Sequence, residues 1–352
     1  MRSETPREPC DLRPAQDLAR SEPSVIIEHM FDSTHRVQLS KPASWLYAEP
    51  VYTSSADEQA ALVALLRERP GGQNWLQLAD AILESGSPQQ ARETLVPAEL
   101  FPSEEHTALM HAALSDVTLW AEQGLDFWTI LDGRYPARLR DIHQAPPFLF
   151  ARGHRVDDDV AVSVVGSRDA SPLGLQMATS IAQALVDMKL TVIAGLASGI
   201  DTAAHLAALE RGGRTVAVIG TGINKVYPAP NRKLQETIAT EGLLLSQFWP
   251  DAPPQAHNFP MRNAIMSGYG IATVVVEAGE KSGARTQARM AVEHGRPVIL
   301  TDLVVERTDW GKALTGRPDV YTVSSTREVS EIVRRLVERP SVLDEALRHI
   351  AV

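Results

Sequence analysis

Gly166-Ser167-Arg168 joins three residue types that together suit an anion. Glycine lets a backbone approach a ligand closely, serine brings a hydroxyl, and arginine brings a planar fork of donors that matches phosphate oxygens. Further along stand Gly195 with Ser198-Gly199, Gly220 with Gly222, Arg262-Asn263, and Ser282-Gly283 with Arg285. These groups are small, polar or basic, and most fall just after an apolar run. The chemistry they suit is phosphate or nucleotide binding. A plain strand-to-helix turn with a surface arginine explains an isolated GSR at least as well, so it is the recurrence that points to a site.

Such residues need a scaffold that brings separate turns to one point. The apolar run Ala161–Val165 ends at Gly166, and similar runs cover 191–196, 214–220, 243–248, 271–278 and 296–301. Helical patterns separate most of them, which predicts right-handed crossovers and a doubly wound, mostly parallel α/β sheet covered on both faces. Ligands on such sheets bind outside the carboxyl ends of the strands, where these glycines and hydroxyls fall. No GxGxxG with a ribose-binding acid follows the first run and no GxxxxGK[ST] occurs, so no dinucleotide or P-loop chemistry, and no cofactor, is expected.

Candidate catalysts have simpler readings. Asp201 and His205, four apart on a predicted helix, read as a carboxylate facing first-turn amides and a histidine packed beneath the loop. Glu277 ends a strand with no second carboxylate and reads as a turn cap. Ser167, Ser198 and Ser282 lack a base, so no hydrolase triad is predicted and the chain is expected not to be an enzyme. Asn263 falls at the expected start of a helix; an N-cap and a contact to a base edge or sugar both stay open.

The 352 residues, 44% hydrophobic and 22% charged, suffice for more than one globular domain. The lone Cys10 excludes an internal disulfide and a cysteine zinc site, and the ten histidines show no paired-ligand spacing. No run approaches the roughly 20 apolar residues of a membrane span, so a soluble, cytoplasmic protein with no membrane partner is expected. Residues 1–55, rich in Pro, Ser and charge around Val25-Ile26-Ile27, read as a mostly flexible leader. Residues 56–125, amphipathic and broken at Gly71-Gly72 and Gly86-Ser87-Pro88, predict a small helical domain. Arg69-Pro70-Gly71-Gly72-Gln73 is a poor helix-hairpin-helix turn, which favours packing or partner contact there over DNA backbone. Residues 303–352 read as a C-terminal extension with an extended piece at 320–323 and a helix over 326–337. The net charge is −10, from 34 basic and 44 acidic residues, yet residues 160–302 hold 12 Lys/Arg and 11 Asp/Glu. Local potential governs phosphate binding, and Arg168, Arg262, Lys281, Arg285 and Arg289 make the expected cationic rim.

With those residues set out, the chain resembles the DprA/Smf family of bacterial DNA-processing proteins. The shared text is VGSR at 165–168, AGLASGIDTAAH at 194–205, GGRTVAVIGTG at 212–222, YPAPN at 227–231, LLSQF at 244–248, NFPMRN at 258–263, VVVEAGEKSGA at 274–284 and AVEHGRPV at 291–298. The resemblance implies an extended Rossmann domain over 126–302 including a lead-in segment, a homodimer through that domain, and single-stranded DNA in its crevice. It also implies hand-over of that DNA to a RecA-type recombinase. The chain departs from the family pattern near the crevice. Ser198 and Ala264 stand where most members carry arginine, Gln247 replaces an acid, Arg285 is an added cation, and Thr301-Asp302 replaces a PG pair. The winged helix of some members is not expected in the stretch after residue 340. Three readings follow: a non-enzymatic single-strand DNA-binding protein, a nucleotide- or DNA-sensing regulator of a neighbouring effector in a defence locus, and, last, a nucleotide phosphoribohydrolase, whose PGGxGT-type motif is missing.

Overall fold

The computed structural model describes residues 52–96 and 104–350, with side chains up to 339. Cys10 and the Val25-Ile26-Ile27 patch, with the expected leader up to residue 51, lie outside the described residues. Residues 52–55 fall inside them, where Tyr52 accepts from the Gly133 amide at 2.8 Å and the Ser54 and Thr129 hydroxyls meet at 2.7 Å.

Four helices come first: α1 (Ala56–Glu68), α2 (Trp75–Ser85), α3 (Pro88–Leu95) and α4 (Glu104–Glu122). Capping boxes start two of them, Ser55 with Glu58 and Asn74 with Gln77, each satisfying amides that the first turn leaves unpaired. The chain continues through β1 (Asp126–Thr129), α5 (Ala137–Arg140), β2 (Phe148–Gly153), β3 (Ala161–Val165), α6 (Pro172–Asp187), β4 (Thr191–Ala194), α7 (Ile200–Glu210) and β5 (Thr215–Val218). Next come α8 (Arg232–Glu241), β6 (Leu243–Ser246), α9 (Asn258–Tyr269), β7 (Ala272–Val275), α10 (Gly283–Glu293) and β8 (Val298–Thr301). The last elements are α11 (Asp302–Val305), α12 (Asp309–Leu314), β9 (Val320–Val323) and α13 (Thr326–Ile350).

The strands form one nine-stranded sheet in the order β1-β2-β6-β5-β4-β3-β7-β8-β9. From β6 across to β9 every pairing is parallel, while β2 joins β6 antiparallel and β1 joins β2 antiparallel. This is the doubly wound, mostly parallel sheet the sequence predicts, with the six apolar runs as β3 to β8. Each face is covered, which is why β3 is apolar almost throughout: Val162 and Val164 pack with α6, α7 and α13, and Ala161 and Val165 join the core of the opposite face. Ser163 is the polar exception and donates to the Met266 carbonyl at 2.9 Å.

The buried face of α1 to α4 does not enclose a separate core. Leu62, Leu65 and Leu66, each at most 2% exposed, belong to the same apolar cluster as one face of the sheet. Aromatic rings carry the join, with centroids 4.9 Å apart for Trp120–Phe150 and 5.3 Å apart for Trp75–Phe148. Truncating one such leucine to alanine costs about 2–5 kcal/mol. At the other edge, β9 extends the sheet beside β8, and Val329, Ile332 and Val333 of α13 are buried against the α6 face. The helix expected over 326–337 runs on to Ile350. No described helix is long and apolar enough to cross a membrane.

Candidate functional site

β3 lies between β4 and β7, so the two wings of the sheet diverge at its edge and the carboxyl ends of these strands open a crevice, as strand order demands. The crevice measures about 520 Å³ and is lined by the turns after β3, β4 and β7 and by one face of α9. Of the thirteen residues singled out in the sequence, Gly166, Ser167, Arg168, Arg262, Asn263, Ser282 and Gly283 line it. Gly195, Ser198 and Gly220 line a small adjoining recess of about 60 Å³, which also touches Arg168 and Arg262.

The two arginines in the crevice have opposite surroundings. Arg168 is exposed, and its guanidinium carbon lies 5.4 Å from the centroid of the Phe259 ring, which holds the cation at the mouth. Arg262 is 4% exposed and donates to the Val218 carbonyl at 2.9 Å. Its guanidinium occupies the space a Cβ on Gly195 would need, so glycine there accommodates an internal arginine rather than a ligand. Burial pulls this guanidinium down to about 10, with Asp201 opposing the shift and Arg168 adding to it. Asp201 is the nearby carboxylate: it accepts from the Gly195 and Ala197 amides at 2.9 and 3.4 Å. Burial pushes its carboxyl up, while Arg262 and those amides pull it back. Arg262 therefore braces the ends of β4 and β5, a role different from the rim cation expected.

Several expected donors are already engaged. The Ser167 hydroxyl donates to the Asp169 carbonyl at 2.9 Å within its own turn, and the Ser282 hydroxyl accepts from the Ala284 amide at 3.2 Å as the cap of α10. The first turn of α6 is capped by Ser171 and closed by Glu277, whose Oε2 takes both the Ser171 amide and hydroxyl at 2.9 Å. The anion at that helix end is the protein's own. Asn263 lies within α9, which starts at Asn258, so it is not an N-cap; its amide reaches toward the Gly283 carbonyl at 3.5 Å.

Three expected residues line neither cavity. Gly199 has φ +76° at the start of α7, and a Cβ there would meet the Ser167 and Arg168 backbone, so glycine is needed for the turn. Gly222 packs against the Trp249 and Pro250 carbonyls and donates its amide to Ala252 at 2.9 Å. Arg285 is exposed on α10, and Arg289 pairs with Glu293 at 3.4 Å on the same helix, so neither joins the rim. Lys281 does.

Sequence reasoning passed over Phe259, Tyr227 and Asn231. Phe259 sits 5.5 Å from Tyr227, ring to ring, and a helical stripe was available to find it, since Phe259, Arg262, Asn263 and Met266 repeat at three and four. The Asn231 amide donates at 2.9 Å to the Leu196 carbonyl and the Thr202 hydroxyl. It thereby holds the β4–α7 turn, in which Leu196 has φ +57°.

Residues 126–315 match the family model described as DNA recombination-mediator protein A. The DNA processing protein DprA of Streptococcus pneumoniae is 42% identical over 173 residues, 49% of this chain and 61% of the relative. The chain thus spans about three fifths of the length of that curated relative. The X-ray structure of DprA from S. pneumoniae superposes with a TM-score of 0.58 at 30% identity, covering 79% of this chain and 98% of that one. The structure of DNA processing protein A from Helicobacter pylori, described by its single-stranded DNA binding mode, gives a TM-score of 0.53 at 21% identity over 60% of this chain and 96% of that one. The latter likeness concerns the fold.

Proposed function

The chain belongs to the DNA recombination-mediator protein A family, and from that premise we propose that it binds single-stranded DNA in the crevice at the ends of β3, β4 and β7 and acts in DNA processing without a covalent step. The observation that carries this reading is Arg168, an exposed guanidinium held over Phe259 at the mouth of a crevice that also contains Lys281. A fork of donors suits a phosphate and the aromatic rings suit an unpaired base, a pair of contacts that a flexible strand makes more readily than a rigid duplex. The single-stranded DNA binding described for the H. pylori protein supports the same ligand. Binding rather than catalysis is supported by the engagement of the nearby carboxylates, Asp201 by two amides and Glu277 by Ser171 and Arg307. A homodimer through the Rossmann domain, hand-over to a RecA-type recombinase and a cytoplasmic location complete the proposal on the ground of family membership.

The crevice volume of about 520 Å³ also suits one small ligand, which favours as second reading a nucleotide sensor acting on a neighbouring effector. Fluorescence anisotropy with labelled oligothymidine, the matching duplex and a panel of competing nucleotides separates the two. Binding of the single strand ahead of the duplex, undisturbed by mononucleotides, is expected. Tight mononucleotide binding with no affinity for DNA would establish the sensor instead.

A further inference from the structure

Tyr227 is 40% exposed, and its ring centroid stands 5.5 Å from that of Phe259 with the two planes inclined at 46°. The other exposed tyrosine among the described residues, Tyr52, gives its hydroxyl to Glu58, whereas the Tyr227 hydroxyl has no partner among the described residues. Both Tyr227 and Phe259 line the small recess that Arg168 also borders. At about 60 Å³ it has room for about two waters and none for a base. A base therefore meets these rings on their outward faces, one base to each ring.

The segment that carries Tyr227 is held on both sides. The Gln235 side-chain amide donates to the Lys225 carbonyl at 2.9 Å, and the Asn231 backbone N–H donates to the Pro228 carbonyl at 3.0 Å while its side chain fixes the β4–α7 turn. A ring presented on a pinned loop loses little freedom when a base stacks on it. The helix α8 follows directly. It joins the carboxyl end of β5 to the amino end of β6, which run parallel, so its first turn lies at the same edge of the sheet as the crevice. Arg232 and Lys233 open that turn, both exposed and neither paired with a carboxylate among the described residues. Lys225 and Arg289, by contrast, are matched with Asp251 and Glu293.

We propose that Tyr227 is a second base platform beside Phe259, so that a single strand held at Arg168 lays two consecutive bases on the two rings and carries its backbone on toward Arg232 and Lys233. This track rests on the reading of the crevice as a strand site and extends it by one base and two phosphate contacts. A mononucleotide reaches one ring only, so the track favours a continuous strand. Stacking accepts any base, because every base has a π face, and no sequence preference follows from it.

Fluorescence anisotropy of the full chain tests it, with a labelled abasic strand carrying one thymine, two adjacent thymines, or two thymines held apart by abasic residues. The adjacent pair should bind about tenfold tighter than the single thymine, the scale of one more stacked base, and the separated pair at most about twofold tighter, the gain from two places to bind. Tyr227→Ala should remove the tenfold step and leave single-thymine affinity within about twofold, while Tyr227→Phe should keep the step. Replacing both cations, Arg232→Gln with Lys233→Gln, should flatten the plot of log affinity against log salt by about 1.4, two contacts at about 0.7 each. A step that survives in Tyr227→Ala, no step in the parent chain, or an unchanged slope in the double variant overturns the track. Melting temperatures are measured alongside, and if Tyr227→Ala melts early then Tyr227→Leu, which keeps apolar bulk without a π face, decides. Affinity lost in Arg168→Ala with the step intact in Tyr227→Ala removes the track alone; affinity intact in Arg168→Ala removes the crevice reading and the track with it.

Discussion

Arg168 and Arg262 line one crevice, yet removing them should have different consequences. Arg262→Ala deletes a buried cation facing Asp201 and leaves the Val218 carbonyl unpaired, so about 3 kcal/mol of stability should go, the scale of a broken buried charge pair. Denaturant titration measures this, and DNA affinity per folded molecule should change little; normal stability with lost affinity would put Arg262 on the phosphate instead. The sequence could not separate the two, because depth is set by what packs around a residue, here Gly195, and not by its own type. Asp201 was legible as a carboxylate held by amides, although these belong to Gly195 and Ala197 of the preceding loop and not to the helix's first turn, and His205 was legible as a packed histidine. The Thr215 hydroxyl, 2.7 Å from His205 Nδ1, donates to the Val192 carbonyl at 2.9 Å, so Nδ1 carries the proton. Burial, with Arg262, pulls His205 down from 6.5 to about 3. The unfolded chain therefore takes up the proton first, and the stability contributed by neutral His205 is full above about pH 6.5 and lost as pH falls toward 3. Relative to pH 7, the loss at pH 4 should be about 3 kcal/mol, and His205→Gln should remove that part of the pH dependence in paired denaturation curves. Parallel curves for the two proteins would refute it.

Helix ends explain both the successes and the misses among the elements. The strands β3 to β8 fall where the apolar runs lie, because burial on both faces leaves a continuous signature. The start of α9 was hidden: His257 precedes it with no side-chain cap, so no capping signal marked Asn258 and Asn263 was left open as a cap. Ser171 and Pro172 mark the start of α6 locally, whereas Glu277, read from the sequence only as a turn cap, reaches that start from 106 positions away. Glu277→Gln keeps the shape and removes the charge at that helix end. A loss of about 1 kcal/mol is expected, read by thermal melting, and no change would mean the ion pair with half-exposed Arg307 and the cap contribute nothing net.

For the molecule as a whole, the sequence predicted a small helical domain over 56–125 but not that its helices share the sheet's core, because an apolar face reveals that something covers it without saying what. Charge was legible at the same scale: the acidic excess lies outside 160–302. A crevice whose exposed cations are Arg168 and Lys281 should give a shallow salt dependence, about two to four effective contacts at a slope near −0.7 each, and a steep slope would require a basic surface elsewhere. The proposed homodimer predicts twice the chain mass by light scattering, and a monomer at micromolar concentration would remove it together with the recombinase role. The crevice itself is tested most directly by oligothymidine anisotropy on Arg168→Ala and Arg168→Lys, with melting curves on the same samples. Alanine should lower affinity by about 1–3 kcal/mol with an unchanged melting temperature, and lysine should recover part of the loss. Parent-like affinity in Arg168→Ala, or an early melt in which the folded fraction still binds normally, would contradict it.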